Sequence, residues 1–205
     1  AIGIVSMTVD HIGYFLFPQM TILRIIGRLA YPIFAYMIAE GCRYTRNKAR
    51  YFCTMFAIAC ACSAATYFAE RALYQSIFTT FSCAMLLIFA LDTAEKTAEG
   101  ARKILWDASA ALLVFLYFSV FQLRMIPGLE TDYGFLGIIT PVLVWLGRSK
   151  AEKLLGLALG LSLLSAEFGA VQFCSLAAVA LLYFYNGKRG NHSLKWAFYV
   201  YYPLH

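Results

Sequence analysis

Apolar stretches, most of them long enough for a helix that crosses a bilayer, recur along this chain from end to end, and only short polar connections separate them. A bilayer core of about 30 Å asks for about 20 predominantly apolar residues per helix. Of 205 residues, 61% are hydrophobic and 14% charged, whereas an ordinary soluble domain carries about a quarter charged residues. The expected fold is therefore all-α: a polytopic integral membrane helix bundle, one transmembrane domain over residues 1–205, with no room for a separate soluble unit. The sequence begins at Ala1 inside an apolar run and stops at His205 soon after an aromatic one starts, so both terminal helices are expected to be truncated. No basic segment followed by a small-residue cleavage site marks a signal peptide.

About nine helices are predicted. The first covers Ile2 to Phe17 and is ended by Pro18; a partly helical connection from Gln19 to Arg28 leads to the second, Leu29 to Tyr44. Then follow Tyr51 to Phe68, Tyr74 to Leu91, Ile104 to Leu123 and Tyr133 to Leu146. The seventh, Leu154 to Ser165, is short for a bilayer, so tilt, local thinning or added flanking residues must be invoked. The eighth covers Ala170 to Tyr185, and the ninth begins near Trp196.

The basic residues give a check independent of hydropathy. Arg43, Arg46, Lys48 and Arg50, then Lys96, Arg102 and Lys103, then Arg148, Lys150 and Lys153, then Lys188, Arg189 and Lys195 all fall in or beside the even-to-odd connections. Only Arg24, Arg28, Arg71 and Arg124 fall on the other side, where Glu130, Asp132 and Glu167 also lie. Thirteen against four is the asymmetry of cytoplasmic loops, which sets the N-terminus inside. The net charge of +6 then reports topology. Nucleic acid is excluded as a partner, because the aromatics lie in apolar runs rather than on a basic soluble surface.

One short stretch carries the chemistry. Met7-Thr8-Val9-Asp10-His11-Ile12-Gly13 sets a carboxylate beside an imidazole in an apolar run, and ionisable groups inside a membrane helix cost roughly 2.5–3.5 kcal/mol each at its centre. The plainer alternative is a pair that only locks the first helix to its neighbours. His11 precedes Pro18 by seven residues, which at 1.5 Å per residue puts it roughly 10 Å inside the outer end of its helix. Consecutive residues point about 100° apart on a helix, so Asp10 is expected to reach Arg24 or Arg28 rather than His11. Those arginines, four apart, share one face if their segment is helical; they either snorkel to the interface or bind an acidic group.

Other residues stand out less. Glu40 lies near the inner end of the second helix and is expected to pair with a loop arginine; the basic cluster beyond it, Arg43, Arg46, Lys48 and Arg50, suits a polyanionic cofactor. Gly156 and Gly160, with Ala158 and Ser162, make a small-residue face for close helix packing. Cys42, Cys53, Cys60, Cys62, Cys83 and Cys174 read as buried thiols without metal-ligand spacing. No P-loop, nucleophile elbow, HExxH or dinucleotide fingerprint is present.

Several motifs agree in order and spacing with a known family. Asp10-His11-Ile12-Gly13, the run Arg24-Ile25-Ile26-Gly27-Arg28-Leu29-Ala30-Tyr31-Pro32-Ile33-Phe34-Ala35 with Glu40-Gly41, Tyr133-Gly134-Phe135-Leu136-Gly137-Ile138, Tyr185-Asn186-Gly187-Lys188-Arg189-Gly190, and Phe198 to His205 together resemble the TraX family from end to end. The resemblance implies a bacterial inner-membrane protein linked to conjugative transfer and to pilin N-acetylation, related to acyltransferases that use cytosolic acyl-CoA. It implies an intramembrane histidine as the catalytic residue, matched here by His11, with His205 as the other motif histidine. Acetyl-CoA would be the acyl donor, a pilin or cell-envelope molecule the acceptor, and no metal is required.

The chemistry agrees with that implication. Acetyl transfer from a thioester needs a base for the acceptor amine or hydroxyl, or a nucleophile that carries the acetyl, and imidazole with a pKa near 6.5 serves either role. Oxyanion donors are sought among Arg24, Arg28, Tyr14 and Tyr31. The expected site is therefore His11, Asp10 and His205 for catalysis, with Arg24, Arg28, Glu40, Arg43 and Arg46 around the donor. The rival reading is a small transporter or channel in which Asp10, His11, Arg28 and Glu40 bind substrate or relay protons, although the internal repeat common in such proteins is missing.

Overall fold

The computed structural model describes residues 2–187. Its helices are α1 (Ile2–Phe15), α2 (Thr21–Gly27), α3 (Ala30–Tyr44), α4 (Lys48–Glu70), α5 (Ile77–Lys96), α6 (Ala101–Tyr117), α7 (Gly134–Leu146), α8 (Lys150–Phe168), α9 (Ala170–Phe173) and α10 (Ala177–Tyr183). A π-helical turn, Phe118–Gln122, extends α6, and a 3-10 turn, Cys174–Leu176, joins α9 to α10. Among the described residues the fold is all-helical; the one β-bridge links Gln75 to Thr131. Among the described residues four stretches are long and apolar enough to cross a membrane: Thr21–Tyr44, which takes α2 and α3 together, Lys48–Glu70, Ile77–Lys96 and Ala101–Gln122. Two shorter apolar ones are Gly134–Leu146 and Ala170–Tyr183. These helices mark a membrane protein. The ninth predicted helix, near Trp196, lies outside the described residues.

The core is built by α3, α5, α7 and α8. Phe78, Met85, Leu87 and Ile88 of α5, Ile138 and Val144 of α7, and Leu157, Leu161 and Leu164 of α8 are fully buried. By contrast α4 buries only Met55 and Ala59, and α6 only Ala110 and Tyr117. Those two helices flank α5 and turn their apolar side chains outward, as lipid-facing helices do. Cys53 and Cys60 are exposed on α4, which corrects the expectation of buried thiols.

Local chemistry explains where the elements start and break. Pro32 falls in the first turn of α3, so its missing N–H costs little there, but its ring cannot sit against a continuing helical carbonyl at Arg28. The helix therefore breaks at Arg28-Leu29. Pro141 inside α7 likewise leaves the Gly137 carbonyl without its intrahelical donor, and the buried Tyr31 hydroxyl supplies one at 3.0 Å. The helix predicted as short, Leu154 to Ser165, is instead α8 with 19 residues. Ser149 and Glu152 form a reciprocal capping box, so the charged first turn is helical. The predicted Ala170 to Tyr185 helix is three short pieces.

Glycine sets the close contacts. A Cβ on Gly156 would run into the Leu143 backbone, and one on Gly160 would lie 2.6 Å from Thr140 Oγ1, so the small face of α8 does admit α7. At the other edge, α1 lies antiparallel along α2 and α3. Gly13 faces Leu23, Gly27 faces Asp10, and Gly3 faces Phe34.

The loops sort into two ends. Arg43 donates to the carbonyls of Trp145 and Gly147, Lys48 pairs with Asp92, Arg148 with Glu95, and Lys150 donates to the Tyr183 and Tyr185 carbonyls. These contacts gather the α3–α4, α5–α6 and α7–α8 connections and the end of α10 at one basic end. At the opposite end Gln75 exchanges backbone hydrogen bonds with Glu130 and Asp132, and Tyr74 donates to the Asp132 carboxyl.

Candidate functional site at the end opposite the basic loops

Asp10 projects from α1 into the groove made by Gly27. A Cβ on Gly27 would fall 2.5 Å from Asp10 Cγ, and nearer still to its Cβ and Oδ1, so only glycine lets the carboxylate lie against α2. Its partners are the two expected arginines. Arg24 Nη1 donates to Oδ2 at 3.1 Å, and Arg28 Nη2 lies 3.7 Å from Oδ1. Arg24 also sits over the Tyr14 ring at 5.1 Å, and its Nη1 approaches the Asp10 carbonyl at 3.5 Å.

Arg28 is the hub. Standing where α2 breaks into α3, it donates from Nη1 to the Tyr133 hydroxyl and to Gln172 Oε1, each at 3.4 Å. One guanidinium thus joins α1, the residue before α7, and α9. Tyr133 is held in a left-handed conformation, φ +62°, with its ring 4.2 Å from that of Tyr31. A bulky residue rarely adopts that conformation unless its surroundings impose it. Here Thr80 donates to the Asp132 carbonyl at 2.9 Å, Thr131 meets Thr80, and the Gln75 backbone pins both sides of the turn. Burial pushes the Tyr133 phenol up to about 12, with the Arg28 charge acting against it.

His11 shares this end of the bundle. Its Nδ1 lies 2.9 Å from the Met7 carbonyl. If Nδ1–H donates there, the neutral ring carries its lone pair on Nε2. The charges of His11 and Arg28 both act on Asp132, whose carboxyl burial nevertheless raises above the usual range. Asp132, Tyr133 and Gln172 therefore belong to the cluster although sequence reasoning gave them no role. The signals were faint: an acidic residue in a loop, one tyrosine among fourteen, and a single Gln in an apolar helix.

His11 lies within α1, one helical turn before its end at Phe15. The helix tip beyond Asp10 overhangs its neighbours, because the level of Asp10 and Arg28 is that of Tyr133, where α7 begins, and of α9. Tyr14, Phe15 and Leu16 of the overhang are exposed and apolar. The half-buried imidazole stacks near the Phe15 ring, with centroids 6.3 Å apart.

The remaining expected residues are elsewhere. Glu40 pairs with Lys153 of α8 at 2.7 Å, not with a loop arginine, and Lys153 is buried. Arg43 caps the last carbonyls of α7, whereas Arg46 is exposed. Arg24 and Arg28 on one side and Glu40, Arg43 and Arg46 on the other are separated by most of α3, roughly 20 Å at 1.5 Å per residue. The five do not converge on one site. His205 lies outside the described residues.

These features define a helical membrane protein with an ion cluster at the end opposite its basic loops. The chain belongs to the TraX family: the family model described as TraX protein matches residues 1–205. Over 49 residues it is 51% identical to the uncharacterized protein RP591 of Rickettsia prowazekii (strain Madrid E), a match that covers 24% of this chain and 19% of that protein. No solved structure matches.

Proposed function

We propose that this protein is a membrane acyltransferase that moves an acetyl group from cytosolic acetyl-CoA to an amine or hydroxyl acceptor in the membrane or at its outer face. The observation that carries the reading is the cluster joining Asp10 to Arg24, Arg28 and Tyr133 at the end of the bundle that His11 shares: preorganised cationic donors at the same end as an imidazole, which suits attack on a thioester carbonyl. A salt bridge that only locked α1 to α2 would not need to draw in the residue before α7 and the amide of α9.

The two separated groups of basic residues suit an elongated donor with phosphates at one end and a thioester at the other. Arg46, just before α4, and Arg50, in its first turn, are exposed and are the cations suited to the phosphates, since Arg43 and Lys48 already brace helices. His11 takes the proton of the acceptor as that acceptor attacks, or carries the acetyl briefly itself. The basic end faces the cytoplasm, with about nine spans and the N-terminus inside, and a pilin or another envelope molecule is the acceptor class.

The test is transfer of labelled acetyl from acetyl-CoA by purified protein in lipid, with His11→Ala as the decisive variant. Removing a general base costs about a hundred- to ten-thousand-fold in rate. His11→Ala should insert and still bind acetyl-CoA while turning over that much more slowly. Rates within a few-fold of the parent would end the role given to His11.

A further inference from the structure

We propose that the groove between α5 and α6 binds an anionic phospholipid of the leaflet at the basic end, with one acyl chain in the groove and the phosphate at Arg102 and Lys103. This inference stands apart from the acyl-transfer reading and needs only the membrane character of the fold. The groove has a volume of about 360 Å³ and is lined by Leu86, Phe89 and Thr93 of α5 and by Trp106, Ser109 and Leu113 of α6. Its two hydroxyl protons are already spent within their own helices: Thr93 donates to the Phe89 carbonyl and Ser109 to the Trp106 carbonyl, each at 2.7 Å. A polar occupant would give up its water without gaining a hydroxyl donor there, a cost that a hydrocarbon chain does not carry.

Shape separates a chain from a helix. Leu113 lies seven residues beyond Trp106, which is roughly 10 Å at 1.5 Å per residue. A volume of about 360 Å³ over that length is a channel roughly 6 Å across, whereas a helix with its side chains measures about 10–12 Å. A helix laid over the groove would leave it empty; an alkyl chain fills it.

Charge fixes which end of the lipid lies where. Arg102 stands four residues before Trp106 and so on the groove face of α6; it is exposed and makes no ion pair among the described residues. Lys103 follows it in the same turn. On the α5 side Asp92 is shared by Lys96, at 2.8 Å, and Lys48, whose ammonium also sits 5.2 Å over the ring of the groove residue Phe89. The basic end of the groove thus brings Lys48, Lys96, Arg102 and Lys103 against Asp92 and Glu99. Glu95 is answered by Arg148, and Asp107, about 100° round from Trp106, points to the side of α6 away from Ser109. An apolar slot with surplus cations at one end complements a phosphate joined to an acyl chain, and basic pockets between membrane helices hold lipid head groups in this way. Trp106, 41% exposed, marks the level where chain gives way to head group, the depth that indole rings favour.

The experiment measures lipid retention by native mass spectrometry on the full chain freed of co-purified lipid, with phosphatidylglycerol and phosphatidylcholine of matched chains. The parent should hold one phosphatidylglycerol in preference to phosphatidylcholine. Arg102→Gln with Lys103→Gln should weaken phosphatidylglycerol about twenty-five-fold, about fivefold for each cation lost, and phosphatidylcholine by less than about twofold. Ser109→Phe, which puts a ring into the groove, should weaken both. Equal retention of the two lipids by the parent overturns the proposal. So does a Ser109→Phe protein that binds lipid as the parent does, which would leave the groove to a second copy or to residues 188–205. Should Ser109→Phe not accumulate, the parent decides: phosphatidylglycerol with a photoreactive group midway along one chain should label residues 86–93 and 106–113 several-fold more than the equally lipid-facing α4. Labelling of α4 to the same extent would mean ordinary bilayer lipid and end the assignment.

Discussion

The two ends of the bundle use charge in opposite ways. At the basic end charges tie helices together: Glu40 to Lys153 across α3 and α8, Asp92 of α5 to Lys48 of α4, Arg148 to Glu95, and Arg43 to the open carbonyls of α7. Each is a brace between neighbours, and among the described residues Arg43 Nε is the one atom of this group left buried without a hydrogen bond. At the opposite end fewer charges are drawn into one knot, and three of its atoms, Asp10 Oδ1, Arg28 Nε and Gln172 Nε2, lie buried without hydrogen-bond partners among the described residues, although Oδ1 keeps its ion pair with Arg28 at 3.7 Å. A fold can satisfy most of its polar groups when only stability is at stake, as the basic end does with the exception of Arg43 Nε. Charged groups gathered at one place with such atoms among them suit the binding of a further group.

The largest expected effect tests whether the basic end also has cations to spare. Arg46 and Arg50 are exposed and make no ion pair among the described residues. Arg46→Gln with Arg50→Gln should weaken acetyl-CoA binding on the order of a hundredfold, since charge-assisted phosphate contacts are worth about 1.5–3 kcal/mol each. Calorimetry in detergent reads it, and an unchanged affinity moves the phosphates elsewhere.

Gly27→Ala breaks the comparison from the other side. The new methyl would overlap Asp10, so α1 must move away from α2 and carry His11 with it. Turnover should fall about ten- to a hundredfold, because small misplacements of reacting groups are costly. Gly156→Ala, which drives α8 off the Leu143 backbone, should lower thermal stability while leaving kcat per folded molecule within a few-fold. Equal effects of the two on kcat would mean that the site is no more sensitive to geometry than the core.

Arg43→Met is the corresponding lesion in a brace. It uncovers the Trp145 and Gly147 carbonyls at the end of α7 and should cost about 1–3 kcal/mol of stability, measured by thermal unfolding, with turnover unchanged within a few-fold.

Much of this was legible in the sequence, for identifiable reasons. Hydropathy and Pro18 located α1, the spacing of Arg24 and Arg28 anticipated their shared carboxylate, and Gly156 with Gly160 announced the α7–α8 contact. The alternation of basic connections matches the two ends that the contacts assemble. What periodicity could not supply was tertiary: that Arg28, besides meeting Asp10, reaches Tyr133 before α7 and Gln172 of α9, and that Lys153 reaches back to Glu40. Charged first turns hid the true length of α8, since hydropathy discounts Lys150, Glu152 and Lys153 while the capping box makes them helical. Gln172 and Tyr133 were invisible because a lone amide or phenol gains meaning only from what folds against it.

The smallest expected effect concerns Asp132, where the two ends differ in how burial competes with charge. Its carboxyl is raised first by burial, against the Tyr74 hydroxyl, the Ile77 backbone N–H and the charges of His11 and Arg28, which all favour the ionised form. Below the ordinary aspartate value of about 3.9 the group is neutral whether the chain is folded or not, so it costs nothing. As pH rises, the unfolded chain ionises freely while the folded protein holds the proton up to the raised value. Stability contributed by the neutral carboxyl is therefore present at low pH, falls as pH climbs through that interval, and levels off above it. Asp132→Asn cannot ionise and should lack this decline. Thermal unfolding from about pH 4 to about pH 8 should show the parent losing a few degrees relative to the variant. The opposite trend, with the parent gaining on the variant as pH rises, would mean that His11 and Arg28 outweigh burial and that the carboxylate is held charged beside the imidazole.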